Sequence, residues 1–199
     1  CLQIADVPDN IQDYYPNDDY YSYDEIKVET GFKKMMITAR DRYAASGQGF
    51  IGKLLQMRKP HDKLPRMQKA NINVQSKILD VGCGAGHLLH SLKECGFNNV
   101  LGVDPFNAKK IEYANGLVIE QKSIHEVEGN DWDFIMMNHS FEHVMDQHEV
   151  LSKIKALLKP GGVCMIRVPT VSSWAWDHYG VNWVQLDAPR HLFLHSQKS

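Results

Sequence analysis

Residues 77–97, KILDVGCGAGHLLHSLKECGF, constrain the fold of this chain more than any other stretch. An apolar run ending in Asp80 and Val81 meets Gly82, Gly84 and Gly86, then passes into a helical pattern in which Leu88, Leu89 and Leu92 face inward. A strand that is apolar throughout and leads through glycines into a helix belongs in a parallel sheet covered on both faces. Four more strand patterns follow, NVLGVDPF, GLVIEQ, DFIMMN and GGVCMIRVP. Helices are expected between them, one around residues 107–114 and a stronger one in DQHEVLSKIKALLKPGG. In the latter, Val150, Leu151, Ile154, Leu157 and Leu158 make an inward stripe, and Pro160 and Gly161 halt the helix. The fold class is α/β, a mainly parallel, doubly wound sheet with helices on both faces.

The flanks read differently, which divides the chain into residues 1–76, 77–168 and 169–199. Tyr14, Tyr15, Tyr20, Tyr21 and Tyr23 are interrupted by Asp, Asn and Pro, the composition of a loop or lid. Apolar positions from Asp24 to Ala45 fall mostly at helical spacing, GFIGKLLQMRK supplies a second short helix, and Pro60 and Pro65 mark a linker. Ser196, close to the last residue, reads as the cap of another helix.

Composition excludes several classes of function. With 43% hydrophobic residues, no apolar run approaches the roughly 20 residues of a membrane helix. With 22 basic against 24 acidic residues and no long run of either sign, there is no electrostatic footprint for nucleic acid. A small-molecule partner is expected, without nucleic acid or membrane, and a homodimer stays open. Cys1, Cys83, Cys95 and Cys164 lack a tight C-x-x-C pair and suit a reducing, cytoplasmic interior. The chain starts at Cys1 rather than Met, so its ends are not taken as natural; Cys1 reads as a free thiol before it reads as the remnant of a metal knuckle.

The glycine turn narrows the ligand. Dinucleotide enzymes use G-x-G-x-x-G, but here the third glycine comes one residue early, at Gly86, and His87 takes the usual place. LDVGCGAG resembles the first motif of the class I S-adenosylmethionine-dependent methyltransferases. Asp104 in LGVDP stands 22 residues after Gly82, where that family places the carboxylate that binds both ribose hydroxyls. DWDFIMMN and LLKPGG resemble the family's fourth strand and the helix end before the fifth, and the likeness covers residues 77–168.

The resemblance implies a Rossmann-like fold whose last two strands are absent from this chain, and S-adenosylmethionine as cofactor. Gly82, Cys83 and Gly84 would present backbone to the methionine portion, with Asp80 ordering its ammonium group. Pro105 and Phe106 would flank the adenine. Ser123 and Ile124 stand where relatives often place an acidic residue. Gly86 and Asn138 complete the expected cofactor set. For Asp80 and Asp104 the bland alternative is turn capping, which their shared register with the glycines weakens.

The transferable methyl is already activated, so the protein's task is to align an acceptor with it, with a base where the acceptor is an alcohol. Among ten histidines, His139, after Asn138 at the end of the fourth strand, is the first candidate, against a loop-stabilising hydrogen bond. The tail WAWDHYGVNWVQLDAPRHLFLHSQKS resembles a subgroup of sugar and cell-surface polysaccharide pathways, as does the tyrosine-rich leader. Trp174, Trp176, Tyr179, Trp183 and His191 could line an acceptor pocket, His191 as a second catalytic candidate, although aromatic clusters more often close a core.

HSFEH, residues 139–143, matches the H-x-x-E-H pattern of a zinc peptidase class, but it straddles a strand end rather than lying within a helix. EHV should open the next helix, with Glu142 near its positive end. FEHV also resembles a loop of quinone-biosynthesis O-methyltransferases associated with a divalent ion; His139 replaces the expected carboxylate, and no tightly bound metal is expected. The reading is a small-molecule methyltransferase. A cofactor-binding scaffold or regulator is the alternative, and a nicotinamide oxidoreductase is disfavoured by the early glycine.

Overall fold

The computed structural model describes residues 1–14, 26, 29–61 and 64–199. Its first elements are β1 (Leu2–Gln3), α1 (Gly31–Ser46) and α2 (Phe50–Arg58), followed by β2 (Ile78–Val81) and α3 (His87–Glu94). Next come β3 (Val100–Val103), β4 (Ile111–Glu112), β5 (Val118–Glu120), β6 (Trp132–Asn138) and α4 (Gln147–Leu157). The chain continues through β7 (Leu158–Arg167), α5 (Trp174–Tyr179) and β8 (Phe193–Leu194).

The main sheet has the order β4-β5-β3-β2-β6-β7, parallel except where β4 runs antiparallel to β5. All four residues of β2 are buried because the strand lies inside the sheet with packing on both faces. Side chains alternate across it, so Ile78, Phe134 and Met136 join one apolar cluster while Leu79, Ile135 and Met137 join the other. Leu89 and Leu92 of α3 pack into the first cluster, with Ala44 and Ala45 of α1. Val150, Ile154 and Leu157 of α4, spaced four and three residues apart, pack into the second.

Several sequence expectations are revised. Residues 107–114 contain no helix; Ile111–Glu112 pairs with Val118–Ile119 across a turn in which the Tyr113 N–H donates to Leu117 O at 2.9 Å. Asn115 and Gly116 supply that turn, with Gly116 at φ 78° and the Asn115 side chain accepting from the Leu117 N–H at 3.1 Å. α4 stops at Leu157, before Pro160; β7 pairs already at Leu158, and residues 159–162 bulge out between the pairs Trp132–Leu158 and Phe134–Val163. Leu151, off the inward stripe of Val150, Ile154 and Leu157, is exposed, and Leu158 belongs to a strand.

On the amino-terminal side, α1 begins at Gly31, while Asp24, Tyr15, Tyr20, Tyr21 and Tyr23 lie outside the described residues. The stretch expected as a linker contains a short 3-10 helix, Leu64–Ala70, whose Leu64 and Met67 are fully buried. β1 pairs with β8, and at Ser196 the hydroxyl accepts from the Lys198 N–H at 3.2 Å within a turn over residues 196–199.

Candidate active site

Three strand ends converge on a cavity of about 460 Å³, within the usual size range for a small-molecule site. β2 contributes Asp80 and Val81 and leads into Gly82, Cys83 and Gly84; β3 leads into Asp104, Pro105 and Phe106; β6 ends in Asn138 and leads into His139 and Ser140. Ser123 and Ile124 complete this side, with His87, His125 and His143 also in the wall. The cavity therefore lies at the carboxyl edge of a parallel sheet, where open α/β folds bind ligands.

The turn keeps its shape through local chemistry. Gly82 adopts φ 72°, and a Cβ there would come 2.4 Å from that of Ser140, whose hydroxyl donates to Val81 O at 2.7 Å. Asp104 is 5% exposed; one of its oxygens accepts from the Gly84 N–H at 2.8 Å and the other from the Phe106 N–H at 2.9 Å. Turn capping and ligand binding thus coexist in one residue, since each carboxylate oxygen keeps a further lone pair. Burial raises the Asp104 carboxyl above its ordinary range, partly opposed by these two N–H groups and by His143. Burial first, then the charges of Asp80 and Asp104, pushes the Cys83 thiol well up, so it stays neutral.

Most of the predicted cofactor residues come together here; Gly86 does not. It donates its N–H to Cys83 O at 3.0 Å and precedes α3, where a Cβ would meet Ile119 at 2.4 Å, so this glycine serves helix-on-sheet packing. Ser123 faces the cavity, and its hydroxyl donates to Glu126 at 2.9 Å in a capping box. His139 lines the cavity at the rim in a left-handed conformation, φ 54°, uncommon outside glycine.

His191 is not among the residues that line the cavity. It is buried behind it, its Nδ1 2.8 Å from Gln185 O. Trp174, Trp176, Tyr179 and Trp183 are likewise absent from the lining; Trp174 is 70% exposed and stacks on His178, and Trp176 packs edge-on against Trp183. Glu142 is fully buried in a short 3-10 turn, Phe141–His143, and does not open α4. The sequence reading did not single out His125 as a wall residue, whereas Ser140 and His143 belong to HSFEH, the loop that leaves β6.

The fit to S-adenosylmethionine can be judged from the polar atoms. Both carboxamide atoms of Asn138 are buried in the cavity wall without a hydrogen-bond partner, a donor and an acceptor that a polar ligand would satisfy. The lone pairs of Asp104 suit a diol, and Asp80 beside the glycine turn suits an ammonium group. Pro105 and Phe106 give an apolar wall for a flat base.

Residues 52–199 match a family described as methyltransferase domain. A ubiquinone biosynthesis O-methyltransferase of Actinobacillus pleuropneumoniae serotype 7 is 37% identical over 110 residues, covering 48% of this chain and 47% of that protein. The human mitochondrial ubiquinone biosynthesis O-methyltransferase is 31% identical over 119 residues, 52% of this chain and 31% of that protein. The chain thus spans half the length, or less, of these curated relatives. The structure of geranyl diphosphate C-methyltransferase from Streptomyces coelicolor A3(2), solved with Mg2+, geranyl diphosphate and S-adenosyl-L-homocysteine, shares the fold. It has TM-score 0.51 and 16% identity, covering 95% of this chain and 74% of that one. Because the family match runs through every strand that builds the cavity, and the cavity's polar atoms suit the family's methyl donor, the chain belongs to the S-adenosylmethionine-dependent methyltransferases.

Proposed function

We propose that this chain transfers a methyl group to a hydroxyl oxygen of a small molecule. The observation that carries this reading is one cavity holding Asp80, Asp104 and the unpartnered Asn138 on its cofactor side and the His139 imidazole at its rim. Bound S-adenosylmethionine would supply an electrophilic methyl carbon on a positively charged sulfur.

The residues divide the work. Asp104 accepts from the ribose hydroxyls, Asp80 holds the ammonium group, and Gly82, Cys83 and Gly84 let the ligand approach the backbone. Pro105, Phe106 and Ile124 exclude water from the base, Ser123 faces it, and Asn138 holds a polar edge of the donor. With donor and acceptor aligned, most of the acceleration comes from orientation. His139 takes the hydroxyl proton as the bond forms.

Oxygen is favoured as acceptor because the quinone-pathway relatives named above are O-methyltransferases. A sugar ring has less support, since the aromatic residues expected to stack on it do not line the cavity. Calorimetry with S-adenosylmethionine tests the donor, and a labelled-methyl assay across phenols, catechols and sugars tests the acceptor. Absence of donor binding by folded protein would overturn the reading. Donor binding without transfer to any acceptor would favour a scaffold or regulator.

A further inference from the structure

Behind the cavity wall lies a carboxylate that the proposed reaction has not used. Glu142 is 0% exposed, and neither of its side-chain oxygens has a hydrogen-bond partner. A buried carboxylate in that condition is costly unless cationic or donating groups face it. His139 Nδ1 lies 3.4 Å from Glu142 Oε1, an ion-pair separation without hydrogen-bond alignment. His191 Nε2 lies 3.9 Å from the same oxygen, and His143 joins the group with ligand atoms of Glu142, His143 and His191 within 4.8 Å of one another. Asp187, 3.6 Å from His191 Nε2, is neutralised by Arg190 at 2.7 Å.

The three imidazoles differ in what their Nδ1 atoms meet. His143 Nδ1 is 2.8 Å from Arg190 O, and His191 Nδ1 is 2.8 Å from Gln185 O. A carbonyl only accepts, so each of these rings carries its proton on Nδ1. His139 Nδ1 faces Glu142, which as a carboxylate also only accepts. That arrangement favours the His139 proton on Nδ1, with the lone pair on Nε2 of a ring that is 37% exposed and lines the cavity. The left-handed backbone at His139, with its N–H donating to Arg167 O at 2.8 Å, fixes where the ring begins.

We propose that Glu142 is a positioning residue that sets the tautomer and orientation of His139, so that Nε2 receives the acceptor's proton. This rests on the O-methylation reading above. As the acceptor oxygen bonds to the methyl carbon, its O–H bond breaks and the proton passes to His139 Nε2. The carbon–sulfur bond breaks with its electron pair staying on sulfur. The products are a methyl ether, the neutral thioether and an imidazolium whose new charge faces Glu142.

The test is a double-mutant cycle with Glu142→Gln and His139→Gln, together with nitrogen NMR of the imidazoles in protein saturated with S-adenosylhomocysteine. His139→Gln lowers kcat by about 100- to 1000-fold. Glu142→Gln lowers it by about 10- to 100-fold with KM and S-adenosylhomocysteine affinity unchanged. The double variant is no slower than His139→Gln, because Glu142 acts through that ring. Independent, multiplying losses would overturn the proposal, as would activity abolished by EDTA and restored by Mg2+, since the carboxylate would then serve a cation. The wild-type NMR requires no acceptor: a proton on His139 Nδ1 supports the proposal, and one on Nε2 overturns it even where Glu142→Gln fails to fold. Correct tautomer with unchanged kcat in Glu142→Gln overturns the proposal while O-methylation stands.

Discussion

Asp104 shapes the glycine turn and offers the cofactor its remaining lone pairs, so one substitution bears on both duties. Asp104→Asn removes a buried charge whose carboxyl is already pushed up by desolvation, and keeps one acceptor oxygen. Hydrogen bonds to a charged group contribute about 1.5–3 kcal/mol, and each 1.4 kcal/mol is a tenfold change in affinity. Calorimetry should therefore show S-adenosylhomocysteine binding weakened by about 10- to 100-fold, together with a lowered melting temperature, because the new NH2 group faces one of the two buried N–H groups that the carboxylate accepts. Asp104 and Asp80 could be found from the sequence because their offsets from the glycines are set by strand length and turn geometry. His191 could not be placed that way. Its position depends on how residues after β7 cross the molecule, and no local pattern encodes that path. The same holds for Trp174 and Trp176, whose aromatic character suits a pocket wall and an exposed stack equally well.

At the scale of elements, the crossing of α1 and α2 rests on Gly52. A Cβ at that position would lie 2.2 Å from Ala39 O and 2.6 Å from Tyr43 Cβ, and the first of these atoms is backbone. Gly52→Ala gains roughly 0.5–1 kcal/mol in helix propensity but forces the helices apart, at a cost of about 1–3 kcal/mol. Chemical denaturation should show a net loss of stability, while cofactor affinity is retained because neither helix lines the cavity. The five parallel strands were readable from their apolar runs, as was α4 from Val150, Ile154 and Leu157. The β4–β5 hairpin was not, because β4, with two residues, is too short to show a period. Asn115-Gly116 was the available signal, a dipeptide that suits a hairpin turn as well as the residues just past a helix end.

For the whole molecule, buried titratable groups set the pH range of stability. Burial lowers the pKa of His143 and His90 below the ordinary value, outweighing the neighbours that act in the opposite direction. The fold thus prefers these rings neutral. Their contribution is complete above the unfolded value of about 6.5 and is lost as pH falls through it toward the folded values. Asp104 acts with the opposite sign but only in the acid range, where its raised carboxyl takes up a proton before the unfolded chain does. Calorimetric melting should show the melting temperature falling between about pH 7 and about pH 5.5. His143→Asn should flatten that slope.

The alternation of β2 and β6 side chains between two apolar clusters has a further consequence. Ile78 and Leu79 are neighbours in sequence but belong to separate packing problems, one beneath α3 and α1, the other beneath α4. The sheet therefore acts as an insulator between two half-cores. One half can be rewritten while the other keeps its jigsaw, and only the strand ends, where the cavity opens, are shared by both.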